Sequence, residues 1–386
     1  MRHSVLHFPQ PRQRFLRTRG PLCLVLGLLI AAPLAPAAPG RQNWPMFRGG
    51  PQLTGVVRGK LGKRLKVLWR FEAADAFLSS AAIVDGAVYV GCDDGFLYAL
   101  NLSDGKLRWK YETKELIHSS PTVLRGVVYI GDDLGILHAV DAATGRRRWT
   151  FEAGDQIISS VNHHGDRLLF GSYDGLIYCL SAGDGKLIWK FETQGRVHGT
   201  PGIASGNVLA AGCDEYLHVL RLSDGTAVTK VSMGSVSGAS AAVAGSRVFV
   251  GTYSGSVLGI DWKSGRKVWS FHDPQREFPY LSSAAVTDKL VIIGGRDKRL
   301  HALDAGTGKQ RWLFETQGRV ESSPVVVGKR VFFGSLDGNL YAVDLETGRQ
   351  VWRFEAGSPI SASPAVADGR LVVGTEDGVL YCFGSD

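Results

Sequence analysis

Ser119-Ser120-Pro121-Thr122-Val123, Val128-Tyr129-Ile130-Gly131, Leu137-His138-Ala139-Val140-Asp141, Thr144-Gly145 and Trp149-Thr150-Phe151-Glu152 form one copy of a unit that recurs every 40 residues. Copies open at Ser79, Ser119, Ser159, Gly199, Ala239, Ser282, Ser322 and Ala362, and the single longer interval, of 43, falls around Asp273-Pro274-Gln275-Arg276. A Trp closes most copies: Trp69, Trp109, Trp149, Trp189, Trp269, Trp312 and Trp352, with Thr229 in the fourth slot. Within each copy stand short β-type runs, such as Val88-Tyr89-Val90, Leu97-Tyr98-Ala99-Leu100 and Lys106-Leu107-Arg108-Trp109. Asp94-Gly95 and Asp104-Gly105 separate them and tolerate the positive φ of tight hairpins. No run has sustained helical periodicity. Four antiparallel strands per repeat of this length predict propeller blades.

The small pairs that open each copy fit the innermost strand, where blades crowd near the axis. The Trp strand is then outermost, where blades splay and rings fill the gap. The last copy stops at Tyr381-Cys382-Phe383 without a Trp strand, and the missing strand stands at Val67-Leu68-Trp69-Arg70-Phe71, ahead of the first opening. The fold expected is therefore an all-β, eight-bladed propeller of four-stranded antiparallel blades over 67–386, closed by an N-terminal outer strand that removes exposed sheet edges. Blade four, without its Trp and running through Gly234, Ser235, Ser237 and Gly238, is expected to pack less well at its outer edge.

Composition agrees with a folded domain. The chain has 386 residues, 44% hydrophobic and 21% charged, with 49 Gly, nearly twice the usual share, which fits a protein made of turns. The formal charge of +8 is concentrated at the start: residues 1–37 hold Arg2, Arg12, Arg14, Arg17 and Arg19 and no acid, and subtracting these five leaves 39 basic against 36 acidic residues. A near-neutral body argues against a nucleic-acid partner. The five arginines precede an apolar run over 22–32 and Ala35-Pro36-Ala37-Ala38, the pattern of a cleaved secretory signal. Residues 1–37 are read as that signal and 38–66 as an N-terminal extension. The mature chain is expected in the periplasm, with no transmembrane segment, as a monomer. Cys23, after Gly20-Pro21-Leu22, matches a lipoprotein processing site poorly.

The turn Asp-x-x-Thr-Gly-x-x-x-Trp, at 141–149 and 344–352, with an acid three residues after the Trp, resembles the tryptophan-docking motif of the pyrroloquinoline quinone (PQQ) repeat family. Asn43-Trp44-Pro45-Met46-Phe47-Arg48-Gly49-Gly50 also resembles the N-terminal segment of that family's small members. The resemblance covers most of residues 43–386 and implies the propeller fold, with the seven tryptophans as structural docking residues. For function it implies two classes. One is the non-catalytic scaffolds, such as the propeller lipoprotein of the outer-membrane β-barrel assembly machinery. The other is the quinoprotein dehydrogenases, which use PQQ and Ca²⁺. Nearly bare 40-residue blades and the lack of an adjacent Cys pair favour a protein-binding scaffold at the cell envelope with no cofactor. A minimal PQQ- and Ca²⁺-dependent oxidoreductase and a small-molecule or carbohydrate sensor are the alternatives.

No metal site is expected. His163-His164 are neighbours on a strand and face opposite sides. Cys92 and Cys213 are placed in matching slots after second strands, and Cys179 and Cys382 in third strands, all four as small buried thiols. Arg146-Arg147-Arg148 alternates across a solvated edge. The asymmetry that can encode a site lies before the opening pairs, around the expected channel mouth. His118, His198, Glu321, Arg196, Arg319 and Tyr280 there form either a site for an anionic or polar ligand or a partner loop, or merely a wet rim. The longer loop at 272–280 offers Arg276, Phe278 and Tyr280 as a partner contact.

Overall fold

Each of the eight openings leads into one antiparallel blade. A computed structural model of the chain describes residues 42–385 apart from Arg58 and Pro274, so the expected signal segment lies outside the described residues. Blade one consists of Ala82–Val84, Ala87–Gly91, Phe96–Asn101 and Leu107–Glu112, and the other seven repeat that order. Its second strand is buried at every position, because neighbouring blades cover both faces, and its outermost strand alternates exposed and half-buried residues. This is why the second strands read as unbroken apolar runs and the fourth as period-two patterns. Among the described residues no helix is long and apolar enough to cross a membrane.

Closure follows the expectation. Lys66–Glu72 pairs antiparallel with Val379–Gly384, Trp69 against Cys382 and Glu72 against Val379, and completes blade eight. At the axis, the backbone N–H of Ser80 donates to the Ser120 hydroxyl, Ser120 to Ser160, Ser160 to Thr200 and Thr200 to Ser240. Ser240 continues to Ser283, Ser283 to Ser323, Ser323 to Ser363, and Ser363 returns to Ser80. The eight bonds span 2.8–3.1 Å and form a closed ring that links every blade to the next. The 43-residue interval leaves this ring intact, since its extra residues are taken up in the outer loop.

At the rim the tryptophans dock as expected. Trp69 Nε1 donates to Leu102 O at 2.9 Å, Trp109 to Ala142 O at 3.1 Å and Trp312 to Leu345 O at 3.0 Å, each in the following blade. Trp189 and Trp269 do the same to Leu222 and Ala305, and Trp352 reaches Leu65, just ahead of the closing strand. Trp149 packs over Gly185 in the same manner, but among the described residues its Nε1 has no hydrogen-bond partner, and the Ala182 carbonyl accepts the Tyr129 hydroxyl alone. The Thr229 gap is filled from the other side. Trp262 of blade five stands where Leu102, Ala142 and Leu222 stand elsewhere, is 5% exposed, and clusters with Leu209, Val219 and Val231 of blade four. The loosely packed edge expected there is replaced by a transplanted ring.

One further placement differs from the sequence reading. Cys92 and Cys213 are one slot apart: the amide of Cys92 closes its turn onto Phe96, whereas Gly212, not Cys213, makes the matching bond to Tyr216. Cys92, Cys179 and Cys382 are buried and Cys213 is half-buried; all four are free thiols whose pKa is raised by burial, to about 12 for Cys92 and Cys382. In the N-terminal extension, the described residues 42–57 contact the blades one after another. Gln42 N bonds the Asp368 carboxylate of blade eight, and Trp44 pairs with Ile83 of blade one. Pro45 O then accepts Val123 N of blade two, and Pro51 O accepts the Asn162 side chain and Ile203 N of blades three and four. Gln52, Thr54 and Gly55 continue to Val243, Val286 and Val326 of blades five to seven. Val56–Val57 finally adds a short parallel strand beside Val325–Val327, making blade seven five-stranded. The segment is a girdle that visits every blade in turn.

Candidate binding site at the channel mouth

In the extended stretch before each opening pair, side chains alternate between the mouth and the blade interior. The position just before the pair and the one two residues earlier face the mouth, and the one between them plugs the blade junction. Tyr280 is in the plugging position, with Phe77, Ile117, Ile157 and Val197 as its counterparts. It is 1% exposed, its ring packs edge-on to His301, and its hydroxyl lies 3.4 Å from His301 Nε2. Tyr280 therefore belongs neither to the mouth nor to the partner loop, and the period-two rule applied to the sequence places it inside.

The other five candidates are at the surface, in two groups. His118 lies between two carboxylates, Nδ1 3.0 Å from Asp133 and Nε2 3.6 Å from Asp93. Gln156 Nε2 donates to the second Asp133 oxygen at 3.2 Å. The hydrogen bond to Asp133 and the nearby Asp93 carboxylate outweigh burial and raise the His118 pKa to about 10, so this imidazole is cationic at neutral pH. His198 is pushed the other way, by burial first and by the charge of His118 second, and stays neutral. Its Nδ1 is 2.7 Å from the Tyr173 hydroxyl, and the Arg196 guanidinium lies 4.9 Å over the Tyr173 ring. Gly238 leaves room beside His198 for Tyr253, which is 43% exposed. The mouth is thus acidic over blades one and two and aromatic with one cation over blades three to five.

Across the mouth, Glu321 is paired with Arg296 at 2.8 Å. Arg319 instead joins the long loop, in a groove of about 490 Å³ lined by Arg276, Phe278, Arg296, Lys298, Glu315 and Arg319. Phe278 is 49% exposed, and Arg276 is held by a bond to Asp297 O at 3.0 Å. Asp93, Asp133, Tyr173, Tyr253 and Arg296 escaped the sequence reading. They occupy one slot, just after the second strand, whose amides all bond the incoming crossover. The same slot compared at the 40-residue period picks them out.

Of the remaining sequence candidates, His163 is half-buried and His164 exposed, on opposite faces as expected. Arg146, Arg147 and Arg148 are all exposed, and Arg148 pairs with Asp141 at 2.6 Å.

The elevated His118 pKa has a consequence for stability. Because the folded value lies above the unfolded one, the stabilisation is full below about pH 6.5 and is lost as pH rises through about 10. Unfolding midpoints of the wild type are expected to fall across that window, while those of His118→Gln stay flatter. In an NMR titration Asp133→Asn should move the His118 pKa down by at least one unit; an unchanged value would mean that the carboxylate does not hold it.

The family model described as outer membrane protein assembly factor BamB matches residues 62–163, 134–272 and 275–382. BamB from Moraxella catarrhalis shares the fold, with a TM-score of 0.71 at 21% identity over 84% of this chain and 98% of that one. Quinohemoprotein alcohol dehydrogenase from Comamonas testosteroni superposes with a TM-score of 0.75 at 14% identity, over 89% of this chain and 80% of that one. Among curated sequences, quinohemoprotein alcohol dehydrogenase ADH IIB of Pseudomonas putida is 34% identical over 80 residues, 19% of this chain and 12% of its own length. The second, a quinone-dependent alcohol dehydrogenase subunit of Acetobacter aceti, is likewise spanned over only 12% of its length.

Proposed function

The chain belongs to the family described as outer membrane protein assembly factor BamB, and from that premise we propose that it is an exported, non-catalytic propeller that holds a protein partner at the cell envelope, in outer-membrane protein assembly. The observation that carries this reading is the groove at the long loop. An exposed Phe278 stands there among Arg276, Lys298 and Arg319, the aromatic-plus-cation composition of a protein contact. Glu321 already occupies Arg296, while Arg319 and Lys298 have no ion pair among the described residues, so the groove suits an extended segment with acidic side chains. The expected secretory signal in residues 1–37 supports export.

The test is site-specific photo-crosslinking from position 278 in living cells. A crosslink to a component of outer-membrane protein assembly, at least tenfold weaker in Arg319→Glu, is the expected result. Crosslinks only to unrelated proteins, or a chain retained in the cytoplasm, would refute it.

The quinoprotein reading has the local identity to the dehydrogenases in its favour, but the donor set does not fit. At the mouth the Asp93 and Asp133 carboxylates flank a cationic His118, a like charge that opposes a Ca²⁺ between them. Among the described residues no three acidic, His or Cys side chains converge as metal ligands. Calorimetric titration with PQQ is expected to show no heat with or without Ca²⁺; micromolar, Ca²⁺-dependent binding would restore the enzyme reading.

A further inference from the structure

The girdle carries one residue that its structural role does not explain. Arg48 is 2% exposed, yet it makes a single side-chain hydrogen bond, from Nη2 to Ala284 O at 3.0 Å. Among the described residues Nε and Nη1 are buried without a hydrogen-bond partner and no carboxylate pairs with the guanidinium, whose Cζ lies 5.9 Å from the centre of the Phe47 ring. Burial alone lowers its pKa, and only to about 9, so the group remains charged at neutral pH. A buried, unpaired charge is strongly unfavourable, and water alone satisfies its hydrogen bonds without offsetting its charge.

The surroundings are built to keep the group in place. Gly55, at φ +63, lies flat against the guanidinium, so that a Cβ there would overlap Nη2 and Cζ, and its N–H closes the loop onto Arg48 O at 3.2 Å. Arg48 itself adopts φ 60, a conformation disfavoured for a side chain of its size and held by the surrounding girdle. Ala284, which receives the single bond, follows Ser283, a member of the hydroxyl ring. Every hydroxyl oxygen of that ring accepts an amide, and among the described residues none donates to a protein acceptor. The axis therefore presents a charged fork and a set of O–H donors with no anionic group among them.

We propose that Arg48, with the adjoining hydroxyl ring, holds a small monovalent anion, a halide or a formate-sized carboxylate, inside the propeller axis. The anion supplies the charge and the acceptors that the protein omits, and it ties the girdle to the blades. A guanidinium accepts such an ion through parallel N–H bonds.

The experiment compares the full-length wild type with Arg48→Met, which keeps bulk and removes the charge. Both are exchanged into gluconate, and chloride, bromide or formate is then titrated at constant ionic strength. The wild-type melting temperature is expected to rise saturably by a few degrees, and that of R48M to be indifferent to the anion. Crystals of the wild type grown in bromide should show an anomalous peak at hydrogen-bond distance from the guanidinium. Because that measurement uses the wild type, it decides the matter even if R48M does not fold. Equal anion dependence in both proteins, no dependence in the wild type, or density for water alone beside Arg48 would overturn the proposal.

Discussion

A chain that begins at Ala73 is expected to fold without cooperativity or to melt about 10 °C or more below the full-length protein. The truncation removes Lys66–Glu72, the outer strand of blade eight, and with it the whole ladder against Val379–Gly384. Both neighbouring rim junctions fail together. Trp69 no longer reaches Leu102 in blade one, and Trp352 of blade seven loses its acceptor at Leu65. At about 3–5 kcal/mol for the deleted Trp69 and about 1 kcal/mol for the lost Trp352 hydrogen bond, before the strand's own ladder is counted, the loss approaches the entire stability of an ordinary domain. A second chain, beginning at Gly59, keeps the closing strand and loses only the girdle, so it should melt between the two. Scanning calorimetry separates the contributions. If the chain from Ala73 melts with the full-length protein, blade eight is not closed from the N-terminus.

Gly308→Ala is expected to cost about 3–4 kcal/mol, and Gly265→Ala about 1 kcal/mol, although the two glycines occupy the same turn position. Their φ values are alike, +72 and +69, so the backbone strain of a Cβ is common to both. They differ in what lies above. A Cβ on Gly308 would come within 2.5 Å of the Trp269 ring, which must lift out of its dock, whereas on Gly265 the nearest atom is the Thr229 hydroxyl at 3.6 Å. Denaturant midpoints of the pair isolate the worth of the docked ring from that of the turn. Equal losses would mean that the tryptophan is not seated on the turn.

The blades were legible because each of their features is local. A buried second strand reads as an apolar run, a turn as Asp-Gly or Thr-Gly, and a rim anchor as a Trp, all within one 40-residue copy. Tyr280 was grouped with Arg196 and Arg319, but it stands one residue nearer its opening pair than they do; the alternation there assigns it to the interior, and its bulk suits a junction plug. Trp262 was overlooked because its slot is filled by Leu or Ala in the other blades, and its value appears only beside the missing Trp at Thr229. The mouth cluster was half visible. His118 and His198 stood out as odd residues in a repeat, but Asp93 and Asp133, which hold His118 cationic, come from the turns of blades one and two.

The sequence by itself determined the number of blades, the order of strands, the docking tryptophans and the strand that closes the ring. Those follow from periodicities of two and 40 residues, which report the environment of each side chain within its own blade. Only the tertiary structure decided which side chains meet around the axis. The girdle brings Arg48 to Ala284, 236 residues away, and Ser363 meets Ser80 across 283 residues. Such pairings depend on a closed circle of eight blades, and no local pattern encodes a contact that exists only once the circle has closed.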